Sequence, residues 1–309
     1  MKITVIGVGG VGGYFGGKLA MAGQDVTFVA RGNNYHQIKA KGLKVKSIYG
    51  DFQVENVKLL NSVSDMGETD LVIIGVKAWQ IRNIARELKK VIQKNTIVLP
   101  LQNGVLISEE LFSELDSTHI LGGLCRIISE LEMPGVIKHT GLNPEIIFGE
   151  FDNIVSDRVL EVNEVFRLSG ISSVIAENIH AEIWKKFIET CISGLLVVTD
   201  SSLGSVLELK ESREMMQKML LEIYQVSQAA GVELEENCVD KMMSFFGTFP
   251  YNTTFSLTRD VREGRPSEIE YQCGLVVKLG EEFGISTPIN KFVYQSILPR
   301  EMNARKILN

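Results

Sequence analysis

The sequence predicts an α/β chain with a doubly wound parallel sheet over residues 1–177 and a C-terminal all-helical domain over residues 178–309. Three observations carry this. The chain opens on a short apolar strand that runs into a glycine-rich turn and a helix. Short apolar segments then alternate with helical patterns through the first half. From about Asn178 the alternation stops and long amphipathic patterns take over. At 309 residues the chain is long for one domain and sufficient for two.

Lys2–Ile6 reads as the first strand, Gly7-Val8-Gly9-Gly10-Val11-Gly12 as the turn, and a helix follows to about Ala22. Asp25–Ala30 reads as a second strand ending in Arg31. This is the spacing of a dinucleotide-binding βαβ unit, so the N-terminal sheet is of Rossmann type. Gly7 permits the tight turn, Gly9 lets the backbone approach a pyrophosphate, and Gly12 lets helix and strand pack closely. The helix start, with Gly10 and Val11, offers free N–H groups and a positive dipole end to that anion. An NAD site usually carries an acidic residue near the end of the second strand, to hold the ribose 2′-hydroxyl. Here Arg31 stands there and no acid occurs between Asp25 and Asp51. A guanidinium grips a 2′-phosphate, so the expected cofactor is NADP(H); the alternative is a solvated surface arginine.

Further strands are expected at Leu71–Val76, Thr96–Pro100 and Ile120–Cys125, with a small hairpin at Lys44–Ile48 and Phe52–Val57. Ile137–Thr140 and Glu145–Phe148, separated by Gly141–Pro144, read as another pair of strands. A helix from Asp157 to Leu168 and a strand from Ser172 to Ala176 close the first half. In the second half, His180–Thr199, Arg213–Ala230, Glu235–Phe246 and Ser267–Glu282 carry apolar residues at helical spacing. Gly231 and Gly284 read as helix stops. A cleft between two such domains is the usual place for a substrate beside a nicotinamide.

The bulk properties exclude several function classes. A net charge of −6 argues against nucleic-acid or anionic-membrane partners. The longest apolar runs are far too short to span a bilayer. Glycine-rich sequence arrives where the apolar core of a secretion signal would be, so a cytoplasmic location is expected. Cys125, Cys191, Cys238 and Cys273 are scattered, as expected of reduced thiols, and Cys191 and Cys273 look like core residues. Neither the cysteines nor the four histidines show metal-ligand spacing, and no metal is expected. The helical half carries enough apolar surface for a homodimer, but pattern alone does not separate core from interface.

Four places could carry chemistry. Lys77 follows a buried-type strand, where side chains face a ligand crevice, or else it begins a helix in solvent. Asn103, at the next strand end, offers a donor and an acceptor, or is a left-handed turn residue before Gly104. Lys185 and Lys186 lie on a largely apolar helix, where desolvation would favour giving up a proton, or else they form a solvated helix face; pattern does not distinguish the two. Ser256 opens the fourth segment, where Ser267 with Glu268 and Glu270 reads as a helix cap with acids in the first turn.

Together, GVGGVGGYFGGKLA, VKAWQ, LQNGV, IWKKF, SLTRDVREGRPSEIE and GISTPIN resemble the ketopantoate reductase family (2-dehydropantoate 2-reductase and its relatives) over nearly the whole chain. The resemblance implies reduction of a 2-oxo acid by NADPH, with 2-dehydropantoate the leading substrate and pantothenate biosynthesis the setting. It implies that Gly7, Gly9, Gly10, Val11 and Gly12 hold the pyrophosphate, Arg31 the 2′-phosphate, and that Lys77 and Asn103 contact the cofactor. It further implies that Lys186, two residues after Trp184, is the proton donor, with Glu268 beside it. Asn103, Thr190 and Ser256 would bind substrate. The chain departs from the family where asparagines would stand four and eight residues after the lysine. Thr190 and Gly194 occupy those positions, which implies a roomier site and a different or bulkier 2-keto or imino acid. A non-catalytic NADPH-binding regulator is the reading from another class; Lys186, Ser256 and Glu268 together argue against it.

Overall fold

In a computed structural model of the chain, residues 1–306 are described. The chain divides into two compact units, Met1–Gln102 with Leu106–Glu182, and Asn103–Val105 with the chain from Ile183 onward.

The first unit begins β1 (Lys2–Ile6), α1 (Gly10–Met21), β2 (Asp25–Val29) and α2 (Gly32–Lys41). A hairpin of β3 (Leu43–Ser47) and β4 (Phe52–Val54) follows, then β5 (Lys58–Leu60), β6 (Leu71–Ile74), α3 (Ile81–Leu88), β7 (Ile97–Pro100) and α4 (Ile107–Phe112). Five strands form a parallel sheet in the order β5-β2-β1-β6-β7. Ile73, Ile74, Val98 and Leu99 are fully buried in it, as expected of parallel strands covered on both faces. The register sets Ile6 beside both Val29 and Ile74. Gly7, Ala30 and Gly75 therefore leave the sheet side by side, at the carboxyl ends where ligands of such sheets bind.

A second sheet completes this unit: β8 (Gly122–Met133), β9 (Val136–Gly149) and, after α5 (Asp157–Leu168), β10 (Ser172–Ile175). Its order is β10-β9-β3-β4, with β8 antiparallel to β9. Two expectations change here. The segment from Ile120 to Cys125 lies mainly in this second sheet and is paired with the first through an isolated bridge between Ile120 and Val98. Gly141–Pro144 does not reverse the chain. The strand continues through it as a bulge, Arg126 facing Glu145 and Ile128 facing Gly141, with Leu142 at φ +60°. One half of β9 pairs with β3 and the other with β10, so the long strand serves two neighbours in turn.

The second unit is helical: most of α6 (Ile179–Cys191), then α7 (Ser193–Val198), α8 (Leu203–Glu208), α9 (Lys210–Ala229), α10 (Cys238–Phe246), α11 (Ser256–Arg262), α12 (Cys273–Phe283) and α13 (Pro288–Lys306). Its core packs Phe187, Ile188, Leu196, Met216, Met219, Val276 and Val293, all fully buried. Each such side chain contributes about 1.5–3 kcal/mol. The helix expected over His180–Thr199 is broken at Ile192. The helix expected from Ser267 starts only at Cys273, after a short 3₁₀ turn at Ile269–Tyr271. Gly231 and Gly284, at φ +77° and +71°, end their helices as expected.

Candidate functional site

The glycine turn in the first unit is built by backbone contact. Gly7 has φ +92°, and a Cβ there would meet Val76 Cγ1 at 2.7 Å. A Cβ on Gly12 would collide with the Gly7 carbonyl oxygen, and one on Gly10 would lie 2.6 Å from the Ser129 carbonyl oxygen. Gly9 differs: nothing lies within 4 Å of its Cβ position. α1 starts just there, with no side-chain cap and no acid in its first turn. Its leading N–H groups are free to bind an anion. The residues present thus fit a dinucleotide pyrophosphate.

Arg31 caps α2 at the end of β2, and its side chain is 55% exposed. Its Nη2 reaches both carboxylate oxygens of Glu87 on α3, at 3.2 and 3.1 Å. Glu87 therefore holds the guanidinium near the carboxyl ends of the strands. Lys77 caps a short 3₁₀ turn after β6, its Nζ 5.9 Å from the Trp79 ring centroid. Asn103 follows β7; the left-handed conformation falls on Gly104 at φ +120° and not on Asn103, which removes the turn-residue alternative. Sequence reasoning missed Asn34. Its Nδ2 donates to the Val8 carbonyl and its Oδ1 accepts from Gly135 N, both at 2.8 Å. That side chain fixes the glycine turn against the β8–β9 connection.

In the second unit, α6 and α7 carry a buried polar stripe. Lys186 is 8% exposed, Glu189 1%, Thr190 5% and Ser193 0%. Lys186 Nζ donates to Glu189 Oε1 at 2.8 Å. Glu189 was not singled out from the sequence, although its spacing from Lys186 by one helical turn was visible there. Ser193 Oγ donates to Gln272 Oε1 at 2.7 Å, and Thr258 Oγ1 to the Ser193 carbonyl at 3.0 Å.

Thr190 and Gly194 do not form the enlarged site expected of them. The Thr190 hydroxyl donates back to its own helix, at 3.1 Å from the Lys186 carbonyl and 3.2 Å from that of Phe187. A Cβ on Gly194 would lie 2.6 Å from Val293 Cγ1 and 3.0 Å from Cys273 Sγ, so neighbours already fill that space. Val293 on α13 and Cys273 on α12 occupy the space that a side chain at Gly194 would need.

Glu268 is 5% exposed, and Ser256 is the first residue of α11. Ser267 is not a helix cap. Its N and Oγ donate to Glu301 Oε2 on α13, at 2.8 and 2.7 Å, and it is completely buried. A buried Glu268 does not act as a solvent-exposed acid in a helix's first turn. Arg265 secures the same loop through Asp260 Oδ1, at 3.0 and 2.9 Å. Cys191 and Cys273 are both fully buried, and Cys273 Sγ lies 3.4 Å from the Cys191 carbonyl. Burial pushes the Cys273 thiol up to about 12 and the Cys191 thiol up as well. Among the described residues no group of three or more His, Cys, Asp or Glu could hold a metal ion, and no helix is long and apolar enough to cross a membrane.

The family model described as Ketopantoate reductase PanE/ApbA matches residues 3–153, and that described as Ketopantoate reductase PanE/ApbA C terminal matches residues 178–301. The chain belongs to the ketopantoate reductase family. A relative named Uncharacterized oxidoreductase YkpB, from Bacillus subtilis (strain 168), is 30% identical over 302 residues, covering 96% of this chain and 98% of its own. A 2-dehydropantoate 2-reductase from Nostoc sp. is 29% identical over 303 residues, covering 96% of this chain and 94% of its own. The crystal structure of 2-dehydropantoate 2-reductase from Geobacter metallireducens GS-15 matches with a TM-score of 0.90 at 28% identity, over 97% of this chain and 99% of that one. This ketopantoate reductase family member is an NADP-dependent oxidoreductase with a Rossmann-like N-terminal fold and a helical C-terminal region. The family uses NADPH.

Proposed function

We propose that the chain reduces a 2-oxo acid to the 2-hydroxy acid, with 2-dehydropantoate the first substrate to test and Lys186 the proton donor. The observation that carries this reading is the buried Lys186 ammonium, 2.8 Å from a carboxylate on a helix otherwise packed in apolar side chains. An ammonium is retained in such surroundings only with compensation, which marks it as a candidate for chemistry.

NADPH, when bound, supplies the hydride to the 2-oxo carbon. On this reading Gly7, Gly9, Gly10, Val11 and Gly12 hold the pyrophosphate and Arg31 the 2′-phosphate, with Lys77 and Asn103 as further cofactor contacts. Lys186 stabilises the negative charge that develops on the carbonyl oxygen and then protonates it. Its N–H bond breaks as the new O–H bond forms, and the neutral amine regains a proton from water. Asn103, Ser256 and Glu268 orient the oxo acid, and the hydroxyl oxygen of Thr190 keeps acceptor capacity for it. Residues 1–177 serve the cofactor and residues 178–309 the proton transfer, in the cytoplasm. The test is NADPH oxidation by the purified protein with 2-dehydropantoate, against Lys186→Ala. Fast, lysine-dependent turnover supports the reading; equal turnover by Lys186→Ala rejects it.

A second reading keeps the reaction and changes the acid. Thr190 spends its only proton on its own helix and Gly194 has no side chain, so neither donates to a substrate hydroxyl. A 2-oxo acid with an apolar side chain needs no such donor. A panel of branched and aromatic 2-oxo acids, compared by kcat/KM, separates the two readings.

A further inference from the structure

We infer that Glu189 is the positioning residue of Lys186, acting on the reaction only through the lysine. The inference rests on Lys186 being the proton donor.

The geometry is local and buried. Lys186 and Glu189 are three residues apart on α6, where side chains share a face. The pair is 2.8 Å apart, with side-chain exposures of 10% and 1%. Lysine carries four rotatable bonds, and an unanchored ammonium would wander among rotamers or seek water. A carboxylate fixed one turn along the same rigid helix removes that freedom and balances the charge where solvent cannot. The neighbouring groups strengthen the anchorage: the Lys186 carbonyl accepts from Thr190, and Ser193 one turn on is locked to Gln272. The ammonium is therefore held in one place. The pair returns to its starting arrangement once the amine has regained a proton from water.

A double-mutant cycle tests this on the full-length protein, using Lys186→Ala, Glu189→Gln and the combination. Glu189→Gln keeps shape and an acceptor oxygen but removes the charge. The expected result is a fall in kcat of roughly ten-fold or more, with KM for the oxo acid and affinity for NADPH within about two-fold. In the Lys186→Ala background the same substitution should leave the residual rate unchanged. A further loss in that background, equal to the loss alone, would show that Glu189 acts without Lys186 and overturn the inference. So would an unchanged kcat in Glu189→Gln. If Lys186→Ala itself turns over normally, the lysine reading fails first, and the outcome is distinguishable. Should Glu189→Gln not fold, Glu189→Asp is read the same way. It retains the charge on a shorter arm, and kcat must fall while KM holds.

Discussion

The Gly12 α-carbon sits against the Gly7 carbonyl oxygen so closely that no side chain fits between them. The first helix and the turn before it therefore meet backbone to backbone. Gly9, two residues from Gly7, faces open space instead. The two glycines should respond differently to the same substitution. Gly12→Ala is expected to lose about 1–3 kcal/mol of stability, the usual range for overpacking. Gly9→Ala should change stability by less than about 0.5 kcal/mol, yet weaken NADPH ten-fold or more as its methyl enters the anion site. Thermal melts with and without NADPH measure both. Equal stability loss in the two variants would contradict the geometry.

Arg31 and Glu87 form an ion pair at the expected 2′-phosphate position. Arg31→Ala should weaken NADPH by about 1.5–3 kcal/mol, the range for hydrogen bonds to charged groups, and leave NADH nearly unaffected. Glu87 competes with the phosphate for the guanidinium. Because exposed pairs are worth about 0–1 kcal/mol, Glu87→Gln should tighten NADPH by no more than about five-fold. Fluorescence titration of both nucleotides checks this. Weaker NADPH binding in Glu87→Gln would mean that holding Arg31 in place matters more than the competition.

Gly194 is enclosed by Val293, Cys273 and Ile297. Even Gly194→Ala should cost about 1–3 kcal/mol, and Gly194→Asn more. Adding Val293→Ala should recover part of the loss, because Val293 Cγ1 is the nearest atom to the new Cβ. Thr190→Val, in contrast, keeps the volume and removes only a hydroxyl that bonds its own helix. Denaturant midpoints for the four variants decide the matter. A Gly194→Ala protein as stable as the parent would show that these neighbours yield more room than the contacts imply.

Cys191 and Cys273 should resist thiol reagents at pH 8 until the protein unfolds. Both are fully buried, and the reactive species is the thiolate, which burial disfavours. The Cys273 thiol rises from 9.0 to about 12 in the folded state. Between those values the folded protein keeps a proton that the unfolded chain has lost, so stability falls as pH rises through that window. The slope is roughly 1.4 kcal/mol per pH unit for such a thiol. Cys273→Ala should flatten the alkaline limb of a stability-against-pH curve. A limb of unchanged slope in that variant would place its origin elsewhere.

The glycine turn and its flanking elements were legible because their information is local. Gly7, Gly9, Gly12 and Arg31 lie within 31 consecutive residues, and strand, turn and helix follow from their order. The second sheet was harder to read. β9 pairs with β3, nearly a hundred residues earlier in the chain, and with β10 beyond α5. The glycine and proline at its centre look like a turn when read alone. What keeps the strand running is β8, which pairs on both sides of the bulge.

The same division runs through the helical unit. Lys186 could be selected by likeness to a family, but its partner could not, because Glu189 on a helix is equally suited to solvent. Only burial of that face makes the pair matter. Ser267 before two glutamates had the pattern of a helix cap; the carboxylate of Glu301, 34 residues later, binds its N–H and hydroxyl instead. Sequence alone determined the βαβ unit, the cofactor class and the helical character of the second half, since propensity, turn chemistry and periodicity act between near neighbours; α8, α11 and α13 were not read from it. Tertiary structure decided which polar side chains are buried and which partners satisfy them. A buried charge or donor must be paired with whatever group the fold brings there, however distant in the chain.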